Sequence, residues 1–223
     1  MFSTRIATQI YAKICFETTL GQKKIIEKLS EYLAGDDFSR IFVLNGFAGT
    51  GKTTLIAALV AALKELRIKP VLLAPTGRAA KVLARYCGEQ ALTIHKRIYR
   101  QRTNADYESK FSLDFNREQG AVFIVDEASM LSDSTGDGAL FGSGSLLEDL
   151  VSYVRSGRSC RLILVGDSAQ LPPVGCDFSP ALDPATVSRY GEVVYGLMDE
   201  VVRQQMQSGI LFNATLVRCM LEN

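Results

Sequence analysis

Apolar residues along the chain gather in short unbroken runs bounded by turn residues. Ile41-Phe-Val-Leu44, Val71-Leu-Leu-Ala74, Ala121-Val-Phe-Ile-Val125 and Leu162-Ile-Leu-Val165 all lack the apolar-polar alternation of a half-exposed strand. Runs of this kind read as strands buried on both faces, and helical stretches separate the first three. The pattern predicts an α/β fold: a parallel sheet with helices on both faces. Lys110-Phe-Ser-Leu-Asp-Phe-Asn116 differs, because it alternates as the edge strand of a hairpin does. Ser132 to Ser145 is rich in Gly and Ser and reads as a loop between a strand end and a helix. Ile210, Ala214, Val217 and Leu221 recur at helical spacing near the end.

In parallel sheets, ligands collect at the carboxyl ends of the strands. Gly46, Pro75-Thr76, Asp126-Glu127 and Gly166-Asp167 each follow one of the four runs, so polar chemistry converges on one edge. The length of 223 residues suits one large α/β domain with a buried core. A hydrophobic fraction of 47% and a charged fraction of 22% match an ordinary globular chain and exclude a disordered or fibrous one.

The net charge of +1 excludes a globally basic protein, so affinity for nucleic acid would have to rest on a local cluster. Arg78, Lys81, Arg85, Lys96, Arg97, Arg100 and Arg102 form one, with Glu89 the single acid among them; a solvated helix face is the plain alternative. The five cysteines include no C-x-x-C pair and read as reduced, mostly core residues. Arg5 and Lys13 sit in an amphipathic pattern rather than a signal core, and the longest apolar run, Leu55 to Leu63, is too short to cross a bilayer. A cytoplasmic protein is expected.

Gly46-Phe-Ala-Gly-Thr-Gly51-Lys52-Thr53 fits G-x-x-x-x-G-K-[ST] in full, between a strand and a helix. The glycines let backbone N–H groups, including those of Gly49, Thr50 and Gly51, curl around phosphate oxygens, and the next helix aims its positive end at the same anion. Lys52 is expected to reach the β and γ phosphates, Thr53 to place its hydroxyl on Mg²⁺, and Thr54 to add a phosphate contact. A chance Gly-rich turn is the competing explanation. Asp126 and Glu127 end a buried strand: the first is suited to holding Mg²⁺, the second to activating the attacking water. Such a pair alone is often only a solvated turn; beside a phosphate loop it points to hydrolysis of ATP.

Four segments, in order, resemble motifs I, Ia, II and III of superfamily 1 DNA helicases of the RecD type (exodeoxyribonuclease V alpha-subunit-like). They are Gly46 to Thr54, Ala74-Pro-Thr-Gly-Arg-Ala-Ala-Lys81, Val125-Asp-Glu-Ala-Ser-Met130 and Val165-Gly-Asp-Ser-Ala-Gln-Leu-Pro-Pro-Val-Gly175. Thr93-Ile-His-Lys96 is similar to motif Ib, and Val201-Val-Arg-Gln204 to the start of motif IV. The resemblance implies a RecA-like P-loop ATPase domain over residues 39–223, preceded by a helical segment, residues 1–38, that carries an adenine-reading glutamine, Gln22. It implies that Gln170 senses the γ phosphate, that Arg203 neutralises charge on the transferred phosphate, and that Pro75, Thr76, Arg78, Thr93 and His95 line a groove for single-stranded DNA. His95 is the one histidine in the chain and is given a DNA or structural role without proton chemistry.

The implied activity is ATP-driven 5′ to 3′ helicase action in DNA repair or recombination. A superfamily 1 motor needs two nucleotide-fold domains, and no match to motifs V and VI occurs before Asn223; a second RecA-like domain is expected from outside this chain. Two other classes stay open at this point. A small-molecule P-loop kinase would transfer phosphate to an added acceptor, and a non-catalytic binding module would not turn ATP over.

Overall fold

The computed structural model describes residues 2–103, 109–133 and 141–200. Helices α1 (Phe2–Ala12) and α2 (Leu20–Ala34) lead into β1 (Ile41–Gly46), α3 (Lys52–Glu65), β2 (Pro70–Ala74), α4 (Gly77–Cys87), β3 (Ala91–Thr93) and α5 (Ile94–Ile98). Next come β4 (Tyr99–Thr103), β5 (Ser109–Leu113), β6 (Val122–Val125), α6 (Leu146–Ser156), β7 (Arg161–Gly166), α7 (Pro184–Val187) and β8 (Val193–Met198). Six strands form one parallel sheet in the order β3-β2-β6-β7-β1-β8, and β4 pairs antiparallel with β5 apart from it.

The unbroken apolar runs are explained by where alternate residues go. Phe42, Leu44, Ile124, Ile163 and Val165 pack on one face with Ile6, Ile10, Leu29, Leu59 and Leu63 of α1, α2 and α3. Ile41, Val43, Phe123, Leu162 and Leu164 pack on the other with Ile94, Ile98, Leu147 and Leu150 of α5 and α6. Each fully buried side chain of this size contributes roughly 1.5–3 kcal/mol, so a strand with no polar face is stable only when both faces are covered. The P-loop α/β architecture with helices on both faces is thus the fold of this chain.

Two strands beyond the four runs extend the sheet at its edges. β3 is three residues long, and β8 is half-buried over Val193–Tyr195. The alternating segment at Lys110–Asn116 contributes β5, with Gln101 opposite Phe111 and Tyr99 opposite Leu113. Its final residue, Asn116, has left the strand: buried, it donates Nδ2 to the Val154 carbonyl at 3.2 Å.

Two expectations are corrected. Of the four described cysteines only Cys160 is buried; Cys15 is exposed, and Cys87 and Cys176 are half-buried. Cys15 follows the end of α1, and Cys176 lies in the loop after β7 beside exposed Asp177 and Phe178. The basic cluster is also smaller than it looks in sequence. Arg97 pairs with Glu118 at 2.7 Å and Arg100 with Asp114 at 2.6 Å, both acids lying outside the basic stretch. Arg78, Lys81, Arg85 and Lys96 remain exposed, and no ion pair among the described residues involves them. No helix among the described residues is long and apolar enough to cross a membrane.

Candidate active site

The first chemical group follows from how β1 ends. Gly49 and Gly51 have φ of 79° and 88°, left-handed values that cost a residue with a Cβ roughly 1–2 kcal/mol, and Gly51 opens α3 as its N-cap. A Cβ on Gly46 would lie 2.9 Å from the Met198 Cβ and 3.0 Å from the Met198 carbonyl oxygen, so β8 can run alongside only because that side chain is missing. The loop closes on itself through Thr50, whose hydroxyl donates to the Phe47 carbonyl at 2.8 Å.

Lys52 is 16% exposed at its side chain. Its ammonium donates to the Gly46 and Phe47 carbonyls, the latter at 2.8 Å, and stands 3.9 Å from Asp167 Oδ2. Burial lowers its pKa, while Asp167, Asp126 and Glu127 oppose that shift and favour the charged form.

Residues 47–54, Tyr86, Asp126, Glu127, Gly166 and Gln170 line one cleft of about 250 Å³. The phosphate-loop residues, the carboxylate pair and Gln170 are therefore brought together by β1, β6 and β7, which are neighbours by way of β7 in the sheet order. Tyr86 on α4 is an addition that sequence reading missed, because an aromatic on a helix carrying an exposed polar face gives no signal of its own; Phe47 lies within the phosphate-loop motif itself. Asp126 Oδ1 accepts from the Glu127 N–H at 3.0 Å. Burial raises the Asp126 pKa; burial first and then the Asp126 charge raise that of Glu127. A carboxylate held above its ordinary range is a better proton acceptor at neutral pH.

Glu127 also carries backbone strain, with φ 56° and ψ 36°. Strained residues persist where surrounding structure over-determines them. Glu127→Asn is therefore expected to stabilise the fold while removing the base, since Asn tolerates this conformation and adds no charge beside Asp126. The expected gain of about 1 kcal/mol corresponds to a rise of roughly 2–4 °C in Tm for a chain of this size. Thermal melting checks it; an unchanged or lower Tm would count against strain at this position.

Gln22 is 4% exposed and joins the site from the side. Its Oε1 accepts from the Thr19 N–H at 3.1 Å, completing a capping box at the start of α2, and its Nε2 donates to the Thr50 carbonyl at 3.1 Å. One amide thus ties α2 to the phosphate loop. Gln170 is exposed, and its Oε1 lies 3.5 Å from the Ser129 hydroxyl just beyond the carboxylate pair.

The remaining predicted residues lie at the carboxyl edge of β2 and β3, strands whose Ala74 and Thr93 are in register. Thr76 and Thr93 are N-caps, accepting from Ala79 N and Lys96 N at 3.2 Å each. Both hydroxyls keep their own hydrogen for an outside acceptor. Arg78 is exposed and Pro75 half-buried. His95 packs edge-on against Phe141 with ring centroids 5.0 Å apart, and 5.6 Å from Tyr99; burial lowers its pKa by disfavouring the charged form. Tyr99 in turn donates to the buried Asp149 at 2.6 Å. Arg203, with the rest of Val201–Gln204, lies outside the described residues.

Comparison with known proteins matches residues 19–212 to the model of the AAA domain family. Over 135 residues the chain is 33% identical to the ATP-dependent RecD2 DNA helicase of Deinococcus radiodurans, covering 60% of this chain and 16% of that protein. It is 33% identical over 201 residues to the RecBCD enzyme subunit RecD of Mycobacterium tuberculosis, covering 73% of this chain and 32% of that one. The chain therefore spans under a third of either relative. Among solved structures, a Bacteroides Pif1 helicase in complex with ADP-AlF3 and single-stranded DNA shares the fold, with a TM-score of 0.54 at 19% identity over 89% of this chain and 45% of that one. With the phosphate loop, the carboxylate pair and Gln170 in one cleft of a parallel sheet, the chain belongs to the AAA domain family and is a relative of the RecD-type superfamily 1 helicases.

Proposed function

We propose that this chain is the ATP-binding and ATP-hydrolysing first motor domain of a RecD-like DNA helicase, moving 5′ to 3′ and serving DNA repair or recombination. The observation that carries this reading is the single cleft shared by the phosphate loop, Asp126, Glu127 and Gln170. Phosphoryl transfer to water needs these parts: a cradle, a cation, a carboxylate base and a contact for the γ phosphate. In it, Lys52 exchanges its carbonyl partners for β and γ oxygens, while Gly49, Thr50, Gly51 and Thr54 contribute to the cradle. Glu127 takes the proton of the attacking water. Gln170 meets the γ phosphate and Arg203 adds positive charge to it.

Thr53 and Asp126 fit a magnesium ion, since both line the cleft and Mg²⁺ takes one or two carboxylates with phosphate oxygens and waters rather than an all-protein cage. When bound, the ion neutralises charge on the β and γ phosphates. Gln22 keeps one amide hydrogen and one oxygen lone pair beyond its two bonds, enough to meet an adenine edge beside the phosphate loop.

For DNA, the edge formed by Pro75, Thr76, Arg78 and Thr93 offers hydroxyls, a cation and the N–H groups of two helix starts, with His95 packed beneath as support. Contacts of this type hold phosphates and carry no sequence information. A second RecA-like domain, supplied by the rest of the protein or by a partner, would close over the cleft. Exposed Leu171, Val174 and Phe178, on the loop after Gln170, give it apolar surface to meet.

The test is the affinity of the chain for a fluorescent oligo-dT across a salt series. Binding is expected to be weak, indifferent to base sequence, and to fall steeply with salt on a log-log plot. Arg78→Glu should weaken it about tenfold, by removing one phosphate contact and adding repulsion. Binding insensitive to both salt and Arg78→Glu would move the groove elsewhere.

A further inference from the structure

Asn45 puts a polar side chain at the end of a strand whose other residues up to that point are apolar. It is 6% exposed and stands one residue before Gly46, where the phosphate loop begins. Burying a carboxamide is costly unless its hydrogen bonds are made, and here three are. Nδ2 donates to the Ser168 hydroxyl at 2.8 Å and to the Tyr195 hydroxyl at 3.0 Å, and Oδ1 accepts from the Ser168 N–H at 3.0 Å.

The partners come from the two strands that flank β1: Ser168 lies just past the end of β7 and Tyr195 within β8. β1 lies between β7 and β8, with Asn45 in register with Gly166 on one side and Leu197 on the other. Ser168 is two residues before Gln170, inside the turn Asp167–Gln170. That turn takes its shape from local bonds, Ala169 N to Asp167 Oδ1 at 2.9 Å and Gln170 N to the Asp167 carbonyl at 3.1 Å. Local bonds fix the shape of a turn but not its distance from a different strand. The β1–β7 ladder brings the turn to the end of β1, and the two bonds between Asn45 and Ser168 fix it there beyond the last ladder pair.

We propose that Asn45 is a positioning residue, a clasp that sets the Gln170 turn against the phosphate loop so that both engage one nucleotide, and that ties β8 to the same point through Tyr195. The proposal rests on Gln170 meeting the γ phosphate. It deepens that reading by naming what aims Gln170, and a misplacement of about 1 Å is enough to lose most of such a contact.

The experiment compares Mg-ADP with Mg-ATPγS binding by calorimetry on the whole chain, which separates γ-phosphate sensing from general affinity and from turnover. The parent ratio is measured first: a parent that does not prefer ATPγS overturns the Gln170 reading, and this proposal with it. Given that preference, Asn45→Ala is expected to leave the ADP Kd within about twofold and to reduce the ATPγS preference about tenfold, the worth of roughly one charge-assisted contact. In a Gln170→Ala background, Asn45→Ala should reduce the preference no further, because the two act through one contact.

Ser168→Ala/Tyr195→Phe keeps Asn45 and its bond to the Ser168 N–H but removes both acceptors of Nδ2. It should lower the preference about threefold, a partial loss of the same hydrogen bonding, and it decides the matter where Asn45→Ala fails to fold. An equal loss for both nucleotides, an unchanged ratio, or a further drop on top of Gln170→Ala would each overturn the clasp and leave the parent's nucleotide preference standing.

Discussion

Lys52→Ala is expected to abolish Mg-ATP binding, while Glu127→Gln binds Mg-ATP as the parent does and no longer hydrolyses it. The split follows from what each side chain touches. Lys52 holds its ammonium on the Gly46 and Phe47 carbonyls, within the cradle where phosphate oxygens would sit. Hydrogen bonds to charged groups contribute about 1.5–3 kcal/mol each, so losing two phosphate contacts weakens affinity on the order of 10²- to 10⁴-fold. Glu127 lines the same cleft beyond the cradle, and replacing its carboxylate with an amide leaves Lys52, Thr53 and Asp126 in place. Loss of a positioned general base costs about 10²- to 10⁴-fold in rate. In the nucleotide-free site, burial and then the Asp126 charge raise the Glu127 pKa. Calorimetry on the two variants checks the split; loss of binding in both would sink it.

The 223-residue polypeptide by itself should bind ATP yet neither unwind duplex DNA nor translocate along a single strand. Translocation needs two DNA-gripping domains whose separation follows nucleotide state, and the proposed first motor domain would supply one of them. Turnover should be slow for a related reason. In the proposed two-domain reading, the cleft without its second domain would lack an arginine from across the interface, a group worth about 10³ to 10⁵ in rate in related phosphoryl-transfer systems. A fluorescence unwinding assay on a tailed duplex is the check. Robust strand separation by this polypeptide would show that it is no half-motor.

How much of this was legible from residue order depends on the distance over which each feature is built. The phosphate loop is contiguous, so Gly46 to Thr54 announced itself, and the carboxylate pair stood out because an unbroken apolar run precedes it. Strands β1, β2, β6 and β7 were legible because both their faces are buried. β3 and β8 were not, since one is three residues long and the other is half-exposed and broken by Gly196. The basic cluster was over-read because its neutralising acids, Asp114 and Glu118, come later in the chain and meet Arg100 and Arg97 only after β4 pairs with β5.

Asn45 was missed for the same reason in stronger form. Its partners are 123 and 150 residues away, and nothing about an Asn before a glycine in sequence tells a clasp from a turn. Gln22 shows the converse. Its role was assigned by resemblance to a nucleotide contact, and the fold adds a structural one, the capping of α2 and its tie to Thr50.

Release of inorganic phosphate from ATP, with no acceptor added, tests most directly that this is a water-using, DNA-responsive motor domain. It is measured on the parent with and without oligo-dT, beside Glu127→Gln. The account predicts slow release by the parent, faster release with the oligonucleotide, and none above background from Glu127→Gln. Release that is equal in parent and Glu127→Gln, or phosphate appearing only when a small-molecule acceptor is supplied, would contradict it.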